Sequence, residues 1–230
     1  MKKPNSPSSR KRWGFRRRLA YNCLLQTVPP LLHLLFDFQI EGTENVPAEG
    51  TGVILAPNHQ SFLDGFLLAS AIPFRLTHFF GSQNLMSKWY FSWVKYGGAY
   101  PSHQSHGRAQ PVIDHFVDLV KDGSAVSIFP EGERSWSGSF QRAKAGCGRI
   151  AHQSHGIVIP VYIEGARNAL ARGKISPAFG TRILVKFGKP LDLTKEYSQP
   201  LTVELAREIS KKVFIAIKEL QKEVHQTRIG

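Results

Sequence analysis

Apolar and polar positions alternate along most of the chain in two recognisable periods. Short apolar runs at Gly52 to Ala56, Thr77 to Phe80, Ala125 to Phe129, Ile157 to Ile163 and Arg182 to Phe187 have the length and β-branched content of buried strands. Between them lie stretches with helical spacing: about Ser61 to Ile72, Pro111 to Lys121, Lys144 to Ser154, and a long amphipathic segment from Thr202 to Val224. Proline opens the second of these helices, while Ser61 stands where a cap for the first would sit. Strands joined in succession through helices predict an α/β fold with a largely parallel sheet flanked by helices, its site formed by loops at the strand carboxyl ends.

The first forty residues follow a different pattern. Residues 1–18 carry eight basic side chains and no acid, reading as a basic tail. Behind it, apolar runs at Leu19 to Leu25 and Leu31 to Phe36 are separated by Pro29 and Pro30. Proline interrupts a helix, and Asn22, Gln26 and His33 punctuate the run, so residues 19–38 are expected as two short helices lying in a membrane interface. A helix pair docked on its own domain is the alternative. Residues 39–230 form the α/β domain in this division.

Composition narrows the partners. The chain has 230 residues, 42% of them hydrophobic, which suits one domain with a substantial core. Thirty basic against seventeen acidic residues give a net charge of +13. Such an excess attracts any polyanion, but the apolar run behind the tail points to an anionic bilayer, and no nucleic acid partner is expected. Attachment to the cytoplasmic face of a membrane, peripheral or monotopic, follows, with an organelle transit sequence as an open alternative for the Arg- and Ser-rich start. Two cysteines, Cys23 and Cys147, suggest neither a disulfide framework nor zinc. Pairs of histidines three apart, His103 with His106 and His152 with His155, have metal-ligand spacing, yet no acidic or cysteine cluster accompanies them and no metal site is expected.

Two segments carry chemistry. Asn58-His59-Gln60-Ser61-Phe62-Leu63-Asp64 sets an imidazole and a carboxylate five residues apart after a strand, a base with its orienter. Phe129-Pro130-Glu131-Gly132-Glu133-Arg134-Ser135 follows another strand. Together they describe catalysis on an anionic substrate that brings its own hydroxyl. His59 would take the hydroxyl proton, and Asp64, in the first turn of the helix, would hold the other ring nitrogen. Arg134 has the planar fork suited to phosphate, Gly132 admits close backbone approach, and Lys144 adds a point charge.

These two blocks resemble the signatures of the glycerolipid acyltransferases, the 1-acylglycerol-3-phosphate (lysophosphatidate) acyltransferase family. That family carries Asn-His-(Arg/Gln)-Ser-x-x-Asp, then Phe-Pro-Glu-Gly-(Thr/Gly)-Arg-Ser, then an apolar strand with an internal proline, matched here by Ile157 to Ile163 with Pro160. The resemblance covers roughly Gly42 to Phe187. It implies transfer of a fatty acyl group from acyl-coenzyme A or acyl-carrier protein to a lysophospholipid acceptor, in phospholipid biosynthesis, with no cofactor beyond the donor. It also associates Glu131, Gly132 and Arg134 with the glycerol phosphate. Two departures bear on the acceptor headgroup. The family's Arg-bearing block is answered by Gly98-Ala99-Tyr100-Pro101-Ser102-His103, leaving Arg108 as the nearest substitute. Glu133 stands where Thr or Gly is commoner, and a carboxylate there repels phosphate unless it pairs with a base. An acyl-chain groove is expected among Phe66, Leu67, Trp89, Phe91 and Trp93, residues that serve equally well as core. Competing readings are an acyltransferase for another headgroup, a hydrolase using Ser61 as nucleophile, and a basic protein that binds nucleic acid without catalysis.

Overall fold

A computed structural model describes residues 15–82, 99–102, 110–174 and 176–228. Its strands are β1 (Asp37–Glu41), β2 (Val53–Pro57), β3 (Thr77–Ser82), β4 (Ala99–Ser102), β5 (Ala125–Ser127), β6 (Ile157–Glu164) and β7 (Arg182–Phe187). They form one sheet in the order β1-β7-β6-β2-β5-β3-β4. Strands β6, β2, β5, β3 and β4 run parallel, as do β1 and β7, and the two groups meet antiparallel between β6 and β7. The expected largely parallel α/β fold is therefore present, with one reversal.

Two faces of the sheet are covered, and the strand period decides which side chain goes where. Val53 and Leu55 of β2 face the helices α1 (Phe15–Leu35) and α2 (Asp64–Ala71), sharing a core with Leu32, Leu67, Leu68, Ile159 and Val185. Ile54 and Ala56 face the other way, onto α3 (Gln110–Lys121), α4 (Gly146–Ser154) and α7 (Val203–Thr227). Every residue of β2 is buried, as a central strand sandwiched between helices requires. Short helices α5 (Ala166–Ala169) and α6 (Thr194–Tyr197) sit in the connections. The last helix buries Leu205, Ile209, Val213, Ile217, Leu220 and Val224 along one face. Thr202 caps it, its hydroxyl oxygen accepting the Leu205 N–H at 3.1 Å.

The N-terminal expectation needs correction. Helix α1 continues through Pro29 and Pro30, and Asp37 and Phe38 already belong to β1, so the described part of residues 19–38 is one helix and a strand start. Each proline forfeits one backbone hydrogen bond, but Leu32 and Phe36 are buried and Val28 and Leu35 half-buried against the α2 side of the core, which holds the helix as a unit. Among the described residues, no helix is long and apolar enough to cross a membrane.

At the strand amino ends, one arginine acts as a clamp. Arg75 is buried, and its guanidinium donates to the carbonyls of Pro47 (2.5 Å), Ala48 (2.6 Å) and Gly123 (3.1 Å), and also to that of Thr51. Burial pushes its pKa down to about 10. These bonds tie the loop before β2 to the turn before β5, fixing the two strands whose opposite ends carry the motifs.

Candidate active site

Strands β2 and β5 are parallel neighbours, with Val53 opposite Ala125 and Leu55 opposite Ser127. That adjacency brings together motifs 72 residues apart: the His59 N–H donates to Glu131 Oε1 at 2.9 Å. The Ser135 N–H donates to the His59 carbonyl at 2.9 Å, and Gln60 Nε2 to the Gly138 carbonyl at 3.0 Å. Asn58 extends the end of β2 by imitating backbone: its Nδ2 donates to the Ile163 carbonyl at 2.9 Å and its Oδ1 accepts the Ile163 N–H at 2.7 Å. The first block is thus fastened to strands on either side.

Within that turn, Asp64 begins α2 and its Oδ2 lies 2.8 Å from His59 Nδ1. The same oxygen accepts the N–H groups of Gln60 (2.8 Å) and Ser61 (2.9 Å), while Oδ1 has no partner. Three donors converge on one buried carboxylate oxygen, aiming its charge at the imidazole. The ring of His59 stacks on Phe129 at 3.7 Å between centroids and keeps 20% of its side-chain surface open. With Nδ1 engaged, Nε2 is the nitrogen available to a substrate hydroxyl. The pair has the geometry that a general base and its orienter need.

Ser61 does not extend the pair. It is buried, its hydroxyl donates to the Leu170 carbonyl at 2.7 Å, and its oxygen accepts the Leu63 N–H at 3.2 Å. It closes a turn ahead of α2 instead of capping the helix, and it is turned away from nucleophilic work. Of the expected acyl groove, Leu67 is core and Phe66 is half-buried beside Phe62 at 5.4 Å. Trp89, Phe91 and Trp93 lie outside the described residues, as do Arg108, His103 and His106. His152 and His155 pack on Tyr197, the latter stacked at 4.9 Å.

The second block divides into an inward and an outward half. Glu131 is buried, its other oxygen accepting the Gln141 N–H at 2.8 Å. Burial pushes its carboxyl above the usual range, and the two amide bonds offset part of that rise. Both oxygens accept backbone amides, so Glu131 braces the loop against His59. No helix follows it until α4. Gly132 has φ +75°, a conformation that favours glycine, and a Cβ there would come within 2.9 Å of the Lys144 stem. The group that approaches Gly132 closely is therefore the Lys144 side chain. Lys144 Nζ pairs with Glu133 at 3.2 Å, both ends more than half exposed, so the extra carboxylate is balanced by a base at little gain in stability.

Arg134 is half-buried, and among the described residues its guanidinium has no hydrogen-bond or ion-pair partner; neither Glu131 nor Glu133 engages it. Burial, then the neighbouring Arg172, lowers its pKa from the ordinary value, with Asp64 opposing. Arg172, outside both motifs, donates from Nη1 to the Arg134 carbonyl at 2.8 Å and stacks over Trp136 at 3.8 Å. Nothing in the local pattern around Arg172 announced it.

A family model described as Acyltransferase matches residues 37–164, more than half of the chain. The chain belongs to the acyltransferase family. Among its relatives, chloroplastic 1-acyl-sn-glycerol-3-phosphate acyltransferase LPAT1 of Arabidopsis thaliana is 29% identical over 155 residues, covering 66% of this chain and 41% of that one. The 1-acyl-sn-glycerol-3-phosphate acyltransferase of Bacillus subtilis (strain 168) is 23% identical over 164 residues, covering 70% and 80%. This acyltransferase-family chain spans about two fifths of the length of the plant relatives it matches, 41% and 43%. The crystal structure of the 1-acyl-sn-glycerophosphate (LPA) acyltransferase PlsC from Thermotoga maritima shares its fold, with a TM-score of 0.70 at 23% identity over 92% of this chain and 85% of that one.

Proposed function

We propose that this chain moves a fatty acyl group from a thioester donor, acyl-coenzyme A or acyl-carrier protein, to the free hydroxyl of a lysophospholipid, foremost 1-acylglycerol-3-phosphate, giving phosphatidate. The observation that carries the proposal is the His59–Asp64 pair at 2.8 Å, with the nearby Ser61 hydroxyl bonded instead to the Leu170 carbonyl. His59 Nε2 takes the acceptor's hydroxyl proton as the oxygen attacks the thioester carbonyl. The tetrahedral intermediate then collapses, breaking the carbon–sulfur bond, and the departing thiolate receives the proton from the imidazolium. Asp64 holds the Nδ1–H tautomer throughout and stabilises the charged ring. Arg134 binds the acceptor phosphate through its fork, and Lys144 supplies a second positive charge at the rim. Glu131 acts as a positioning residue that keeps the His59 backbone in register with the phosphate loop.

Acceptor and donor are expected to meet at a membrane surface, with α1 and the basic tail as attachment. Incubation of the purified chain with a panel of lysophospholipids and both donors, read by mass spectrometry, tests the reading. Formation of phosphatidate in preference to other products is expected. Absence of transfer to any lysolipid in the presence of both donors would end it.

A further inference from the structure

We propose that Trp136 and Phe179 form an aromatic rim, continuous with the outer face of α1, that docks on a phospholipid bilayer and holds the mouth of the site against it. The purpose of this docking rests on the lipid reading above, while its test does not depend on turnover. Trp136 is 68% exposed and Phe179 64% exposed, an unusual display for two large aromatics. They belong to segments distant in sequence, yet the structure joins them. Arg172 lies over the Trp136 ring at 3.8 Å and Arg167 donates to the Trp136 carbonyl at 3.1 Å. Further along the same connection, the Phe179 ring meets Phe36 at 6.3 Å, and the Gly180 N–H donates to the Leu35 carbonyl at 2.8 Å. That bond reaches the end of α1, whose last turns expose Leu31 (50%) and Leu34 (81%). The connection from Arg167 to Gly180 thus links the loop that carries Arg134 and exposed Trp136 to exposed Phe179 and the end of α1.

Charge selects the occupant. Residues 165–181 contain Arg167, Arg172 and Lys174 and no acid, and the loop bonded to them adds Arg134, with Lys144 paired to Glu133. A second copy docking by the same patch would bring these like charges face to face, which disfavours a symmetric dimer. An indole and leucines among guanidinium groups match the depth profile of a bilayer, with rings at headgroup level and cations on the phosphates. Trp136 stands two residues from Arg134, so a lysolipid phosphate would reach the fork without leaving the surface plane.

The test uses the full chain with W13F, W89F and W93F, leaving Trp136 as the sole indole. It is mixed with vesicles of phosphatidylcholine, alone or with phosphatidylglycerol, carrying bromine at a shallow acyl position. A blue shift and quenching of Trp136 are expected, strongest on the anionic vesicles. Co-flotation of the protein with Trp136 emission unchanged would overturn the proposal, as would burial of Trp136 by self-association in the absence of vesicles. Failure to float at all would overturn it too. Should the triple variant not fold, Trp136→Ala with Phe179→Ala in the otherwise unaltered chain decides. Vesicle binding at high salt should weaken at least about tenfold, given the apolar area removed. Turnover of a short-chain acceptor dissolved as monomers should be unchanged. Undiminished vesicle binding would sink the rim, whereas absent turnover of that monomeric acceptor by the unaltered chain would instead count against the transfer reaction.

Discussion

The turn after β2 and the loop after β5 leave neighbouring strands at the same edge of the sheet, yet they are built in opposite ways. In the first, Asn58, Ser61 and Asp64 are buried, Asp64 bonded inside the turn and Asn58 and Ser61 to the carbonyls of Ile163 and Leu170. The second runs from Phe129 to α4 without regular structure; among the described residues its Arg134 guanidinium has no ion-pair partner, while Lys144 is paired with Glu133 at the exposed rim. The contrast suits the two tasks proposed for them. A proton-transfer group gains from being preorganised, because any reorientation adds to the barrier. A phosphate-binding group gains from being unpaired until the anion arrives, since a competing carboxylate would have to be displaced. Glu131 joins the two halves.

The strongest way to break this division is at the buried half. His59→Ala should lower the acyl-transfer rate at least about a hundredfold, with circular dichroism unchanged. Asp64→Asn should cost at least about tenfold by leaving the imidazole in the wrong tautomer, while Ser61→Ala should retain activity. Full activity in His59→Ala would end the proposed chemistry. At the junction, Glu131→Gln replaces one accepting oxygen with a donor facing a backbone amide. A loss of about 1–3 kcal/mol in denaturant unfolding should accompany reduced turnover.

The same residue predicts a pH effect. Because burial raises the Glu131 pKa in the fold, the native state holds its proton at pH values where the unfolded chain has released it. Its contribution to stability therefore grows as the pH falls from the raised value towards the ordinary carboxylate range. Glu131→Gln should remove that part of the slope, and an identical pH profile for both proteins would show that Glu131 is not held above its usual range.

At the open half the effects are smaller. Arg134→Lys keeps the charge and loses the fork, so the KM for a phosphate-bearing acceptor should rise by about tenfold while that for the donor stays put. A change confined to the donor would reverse the assignment. Smallest is a comparison of thiols: Cys147 is buried with its pKa pushed up to about 12, whereas Cys23 is exposed. A disulfide reagent at neutral pH should titrate Cys23 promptly and reach Cys147 only on unfolding.

Much of this was legible in the chain. Strands β2, β6 and β7 and helix α7 carry enough apolar positions at one period to be read directly, and the capping Thr202 marks the last helix. The His-to-Asp spacing together with the second block pointed to the His59–Asp64 contact, and the strand before each block placed both at carboxyl ends. What escaped depends on partners far away in sequence. Strand β1 was hidden because among the described residues it pairs only with β7, so a partly polar edge sufficed. Strand β4 holds Pro101 and is four residues long. Glu131 reads as a ligand-facing group until the amides of His59 and Gln141 are seen on its oxygens, and Ser61 reads as a helix cap until Leu170 claims it. The continuity of α1 depends on packing that its two prolines conceal. Arg75 and Arg172 look like surface arginines, because the carbonyls that bind them come from separate loops.

The pairing of β1 with β7 has a consequence for how the chain is made. Asp37 aligns with Arg182, so the N-terminal arm leaves the ribosome long before the strand that completes it. At ordinary translation speeds the interval is roughly 7 to 30 s. Throughout it, the edge of β1 is without its final neighbour, an exposure that invites aggregation in water. A nascent arm that rested on lipid during those seconds would have a shelter, and the bilayer proposed as the protein's working surface would also serve as its first chaperone.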